Sequence, residues 1–133
     1  MIKVGMTGVY VDDVAKAHAF YTDVLGFETR TRLDLGGGTL FITVGAPGGA
    51  QADVQLLLEP GDGPIAEPYR RALYEAGIPC IVFSVDDIQA EYERLRGLGV
   101  RFTHEPQEQG PVIAAVLDDS VGNLIQLAQP SHG

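Results

Sequence analysis

Val11-Asp12-Asp13-Val14 recurs as Val85-Asp86-Asp87-Ile88, an offset of 74 residues (85 − 11). Leu25-Gly26-Phe27 recurs as Leu98-Gly99-Val100 at an offset of 73 (98 − 25), and Val54-Gln55-Leu56 as Ile125-Gln126-Leu127 at 71 (126 − 55). Any one match is within reach of chance. Three in the same order, with a slowly shrinking offset, describe a duplicated module whose second copy has a shorter loop. The chain then divides into a first module at about 1–60, a linker and short helix at about 61–77, and a second module at about 78–130.

The first copy reads as strand, helix, then three strands. Val4 to Val11 is rich in β-branched residues and alternates in part, as a strand does. Asp12 or Asp13 offers a side-chain acceptor to the free N–H groups that open the next helix. Val14, Ala17, Tyr21 and Leu25 then form one apolar stripe at helical period, and Gly26 supplies the left-handed stop. Strands follow at 27–35 and 39–44, joined by the hairpin glycines Gly36-Gly37-Gly38, and at 53–59. A Pro- and Gly-rich stretch from Pro60 to Pro68 leads into a short helix at 68–76, stopped by Gly77. The second copy repeats the pattern with strands at 79–85, 100–104, 112–117 and 124–128. Its helix spans 87–96, with Ile88, Tyr92 and Leu95 on one face. The expected fold class is α+β: two tandem βαβββ modules forming a concave, cup-like mixed sheet, with the helices on one side and room for a small molecule on the other.

Composition narrows the function. The 133 residues are enough for one domain with a core, and no apolar run approaches a bilayer span. No signal-peptide block opens the sequence, so a cytoplasmic location is expected. Nine basic against eighteen acidic residues, a net charge of −9, argue against nucleic-acid binding and mildly favour cationic small ligands. The one cysteine, Cys80, excludes an internal disulfide and any multi-cysteine metal site.

Val11-Asp12-Asp13-Val14, Phe20-Tyr21 and Val24-Leu25-Gly26-Phe27, with the closing run Asp118-Asp119-Ser120-Val121-Gly122-Asn123-Leu124-Ile125-Gln126-Leu127, resemble the vicinal oxygen chelate superfamily. That superfamily comprises glyoxalases, bleomycin-resistance proteins and extradiol dioxygenases. The resemblance covers nearly the whole chain and agrees with the internal repeat. It implies a homodimer and, in metal-dependent members, four ligands on the first and last strands of each module. Projected here, those positions are Met6, Gln55, Cys80 and Gln126. Family members usually have His or Gln at the first, Glu or His at the second, His at the third and Glu at the fourth. A thioether, two neutral amides and one thiol do not resemble a hard-cation site.

The residues therefore point to a protein that binds a small organic molecule through Met6, Gln55, Cys80 and Gln126, with no metal cofactor. Two Gln amides suit hydroxyls, amides or a planar heterocycle, and Met6 suits aromatic packing. Cys80 reads either as a small buried hydrophobe or as a reactive thiol; no Lys, Arg or His stands beside it in sequence. The alternative is a glyoxalase-like lyase or dioxygenase holding a divalent metal through a non-standard set drawn from Glu59, His104, Glu105 and Glu108. A third is a structural or regulatory subunit with an empty cup. His18 reads as a boundary residue of the first helix, His132 as part of the tail. Asp118-Asp119 reads as turn chemistry, and no catalytic triad emerges from spacing.

Overall fold

A computed structural model describes residues 1–131; His132 lies outside the described residues. The chain divides into two compact units, Met1–Pro68 and a second beginning at Tyr69. In the first, β1 (Met6–Val11) leads into helix α1 (Val14–Ala19), then β2 (Glu28–Asp34), β3 (Leu40–Gly45) and β4 (Gln55–Pro60). The strand order is β1-β4-β3-β2, with β1 parallel to β4 and the other pairs antiparallel. Helix α2 (Ala66–Glu75) carries the chain into the second unit. There β5 (Ile81–Ser84), helix α3 (Ile88–Gly97), β6 (Phe102–Gln109), β7 (Val112–Asp118) and β8 (Leu124–Pro130) repeat the topology in the order β5-β8-β7-β6. The duplicated βαβββ module is therefore real, each copy carrying its own four-stranded mixed sheet.

Local chemistry explains the element ends. Of each aspartate pair, the second residue is the helix cap: Asp13 Oδ1 accepts from the Lys16 amide and Asp87 Oδ1 from the Ala90 amide, each at 3.0 Å. The first helix widens after Ala19 into a π turn over Phe20–Val24, with the Leu25 amide bonding back to Phe20. Gly26 and Gly99, matched by the repeat, end the two helices at φ of 91° and 89°. Helix α2 starts at Ala66, two residues before the expected Pro68. A proline in the first helical turn forfeits no hydrogen bond, so it marks the turn rather than the start. Strand β6 runs to Gln109, past the expected end near His104. Register shifts on either side of His104 put Pro106 in an irregular stretch, where its missing N–H does no harm.

Each sheet packs one face on its helix. In the first unit Val9, Val11, Ile42, Val44, Leu56 and Leu58 meet Ala17 and Tyr21, all buried. In the second, Ala115, Leu117, Ile125 and Leu127 meet Ile88 and Leu95, and Tyr92 sits edge-on to Phe102 at 4.7 Å. Burying a Leu, Ile or Val side chain is worth about 1.5–3 kcal/mol, so these two stripes supply most of the drive to fold. The helix-free faces are what remain for function.

Candidate functional site

Alternation along β1 and β4 sends Met6, Gly8 and Tyr10 to the helix-free face of the first sheet, with Gln55, Leu57 and Glu59 directly across from them. Met6 and Tyr10 stay 44% and 38% exposed, although both are large and partly apolar. Thr43 on β3 lies opposite Leu57 and is fully buried. Its hydroxyl donates to Gln55 Oε1 at 2.7 Å, satisfying a polar group that has no access to water. This bond also sets which way the Gln55 amide points. The oxygen is engaged below, and the Nε2 donors remain for another partner.

Gly8 allows a second arrangement. The Glu59 carboxylate occupies the space that a Cβ at Gly8 would fill. Glu59 therefore leans back from the Tyr10 row towards the middle of the face. Among the described residues no lysine or arginine is paired with it.

The second unit's helix-free face is organised around one cross-strand row. Val82 lies opposite Gln126, Gln126 opposite Val116, and Val116 opposite His104. Cys80 precedes β5 by one residue, and its amide donates to the Leu124 carbonyl at 3.0 Å. Met6 and Gln55 are thus level in their module, whereas Val82, 54% exposed, takes the place level with Gln126 and Cys80 stands two residues back. Burial, and then the negative charge of Asp119, push the Cys80 thiol up to about 11. At neutral pH it is a protonated, weakly nucleophilic group.

These facts bear on the metal that relatives of this kind can carry. Gln55 Oε1 already accepts the hydrogen bond of the Thr43 hydroxyl, Gln55 and Gln126 are neutral amides, and Met6 offers only a soft thioether. The donor set does not fit a divalent metal. Among the alternative ligands on β6, Glu108 pairs with Ile113 and so faces away from His104. Among the described residues no group of three or more His, Cys, Asp or Glu could hold an ion.

The loop after β3 frames the first face. Arg30, at the register shift of β2, lies over Gly45 where no side chain intervenes. Its guanidinium donates to the carbonyls of Ala46, Ala50 and Ala52 at 3.2–3.3 Å, and Glu28 accepts from the Gly48 amide. This Pro- and Gly-rich loop is fastened to its own sheet. The closing turn of the second unit is held similarly. Asp119, fully buried, accepts from the Val121 and Asn123 amides and from Asn123 Nδ2 at 2.9–3.1 Å. Beside it Asp118 accepts from Tyr74 of α2 and from Arg101. Burial would raise the Asp118 pKa, but the hydrogen bonds from Tyr74, the Ser120 amide and Arg101 hold it below the usual carboxylate value.

Sequence reading missed Thr43, Gly8, Arg30 and Val82. Strand alternation could have placed Thr43, Gly8 and Val82 on these faces. Nothing local signals that Arg30 would cross a bulge to reach a loop.

The comparisons with known proteins come to the same fold. Residues 3–127 match the model of the Glyoxalase/Bleomycin resistance protein/Dioxygenase superfamily. The uncharacterized protein YurT of Bacillus subtilis (strain 168) is 41% identical over 96% of this chain and 99% of its own. The crystal structure of UcmS2 superposes with a TM-score of 0.81 at 30% identity, covering 96% of this chain and 98% of that one. TnmS3, an antibiotic binding protein from Streptomyces sp. CB03234, gives 0.74 at 26% identity over 98% of both chains. Among the described residues no helix is long and apolar enough to cross a membrane. A duplicated βαβββ module, a family match over almost its full length and a relative at 41% identity lead to one statement: this chain belongs to the Glyoxalase/Bleomycin resistance protein/Dioxygenase superfamily.

Proposed function

We propose that this protein binds a small organic molecule, a drug or metabolite, and does so without a catalytic metal. The observation that carries this reading is the state of the four family ligand positions. They hold Met6, Gln55, Cys80 and Gln126, with the Gln55 oxygen committed to Thr43 and the Cys80 thiol protonated. Such groups recognise neutral hydrogen-bonding partners and polarisable rings. Similarity to an antibiotic binding protein at 26% identity supports binding without naming the ligand. Tyr10 and Phe41, rather than any Trp, supply the aromatic surface on the first face. The reading includes a homodimer at work in the cytoplasm, in which β1 and β2, the outer strands of the first sheet, are available to a partner copy.

The test has two arms. Elemental mass spectrometry on tag-free, chelator-free, dialysed protein should find less than about a tenth of an equivalent of any transition metal. A thermal-shift screen of aromatic and amide-bearing compounds should find ligands that raise the melting temperature with concentration. Replacing both Gln55 and Gln126 by Ala should weaken the best of them by about tenfold or more. One equivalent of a single metal, or a double variant that binds unchanged, would overturn the proposal.

A further inference from the structure

The first module's helix-free face offers two polar groups whose polarity the fold has already fixed. Thr43 is buried beneath Gln55 and takes up its Oε1, leaving Nε2 to donate. Glu59 presents the opposite character, an acceptor with negative charge. Its carboxylate is drawn across Gly8, beside Leu57, one pleat repeat from the level of Met6 and Gln55. One pleat repeat along a strand is about 7 Å. Between and around them lie Met6, Tyr10 and Leu57, an adaptable and partly aromatic floor.

The absence of a side chain at position 8 is informative. Glycine weakens a strand interior, and in a strand it often marks a place where something approaches the backbone closely. Here the approaching group is a carboxylate with no lysine or arginine paired to it among the described residues. A carboxylate lying on an apolar floor is poorly served there unless a cation arrives. The charge of −9 on the chain adds a field of the same sign.

We infer that the ligand of this face carries a cationic nitrogen bound by Glu59 over Gly8, and a hydrogen-bond-accepting oxygen bound by Gln55 Nε2. The inference rests on the small-molecule reading above and narrows it to one class: a planar or aromatic molecule with a carbonyl-type oxygen and a protonated amine about 7 Å apart. A neutral aromatic ligand would use only the Gln55 half of the site, and an organic anion would be repelled.

A matched pair of probes tests this: an aminobutyl naphthalimide, whose ammonium tail and imide oxygens supply both groups, and its N-acetylated neutral counterpart. Binding is followed by naphthalimide fluorescence and confirmed by calorimetry. The wild type should prefer the ammonium probe by about tenfold, with the preference shrinking at high salt. Glu59→Gln should abolish the preference while leaving the neutral probe's affinity intact. Gly8→Ala, which displaces only the end of a flexible side chain, should reduce the preference several-fold in a folded protein. Thr43→Val should weaken both probes alike by several-fold, because Gln55 loses its orientation. Equal binding of both probes by the wild type, or a preference that survives Glu59→Gln, overturns the inference while leaving small-molecule binding standing. Failure of both probes to bind at millimolar concentration also overturns it, and the compound screen then decides separately whether the broader reading survives.

Discussion

Asp119→Ala should strongly destabilise the second unit. The Asp119 side chain is fully buried, and the donors it serves include the Val121 amide at 3.0 Å, the Asn123 amide at 2.9 Å and Asn123 Nδ2 at 3.1 Å. Val121 and Asn123 are themselves buried, so water cannot replace the lost acceptor. A buried donor left without a partner costs about 1–3 kcal/mol. Allowing for relaxation of the turn, the three together should cost about 3–6 kcal/mol, much of the roughly 5–15 kcal/mol a domain of this size has. Asp119→Asn keeps the acceptor for the two amides and loses only the side-chain bond, so it should cost about 1–2 kcal/mol. Urea unfolding followed by circular dichroism gives the two differences, and native-state hydrogen exchange at Val121 and Asn123 localises them. If Asp119→Ala shifts stability by less than about 1 kcal/mol with an unchanged m-value, the turn is not held as argued.

Three further outcomes follow from the same geometry. The Asp118 carboxyl titrates below its ordinary 3.8 in the folded chain, so its contribution is present above that value and is lost as pH falls through the lower folded pKa. Asp118→Asn should therefore flatten the acid limb of a stability–pH curve, and an unchanged limb would contradict the role given to Tyr74 and Arg101. Cys80, raised from 9.0 to about 11, should alkylate at pH 7.5 at least about tenfold more slowly than free cysteine, and Asp119→Asn should narrow that gap. A thiol as reactive as free cysteine would refute its burial. Arg30→Ala should release the loop at 46–52, seen as faster amide exchange and new proteolytic cuts there. Arg30→Lys should not restore it, because three separate carbonyls need the guanidinium fork. Rescue by lysine would show that charge alone was at work.

The fold was legible because the repeat was. A duplicated Val-Asp-Asp helix opening and paired helix-stopping glycines each have a local physical cause, and the structure finds that cause at Asp13, Asp87, Gly26 and Gly99. Misplaced element ends share another origin. The sequence places the start of the second helix at Pro68 and the end of a second-copy strand near His104, yet a first helical turn tolerates Pro68 within a helix that starts at Ala66, and a strand irregularity tolerates Pro106 in β6. The face shared by Met6 and Gln55 was readable from alternation. What could not be read was register. Nothing in the sequence says that Val82 rather than Cys80 stands level with Gln126, or that a threonine twelve residues away would orient Gln55. Those relations depend on how strands slide against one another, which is settled by the core and not by any one residue.

The parallel pairing of first and last strands has a consequence in time. Met6 finds its partner only at Gln55, 49 residues later, and Ile81 only at Ile125, 44 later. Neither module can zip up progressively as a string of hairpins would; each waits, with its opening strand unclaimed, until its final strand has been made. During synthesis the first module reaches that point at Pro60, before any strand of the second exists. Closure across nearly fifty residues is entropically slow, so β1 is the segment most in need of protection on a nascent chain.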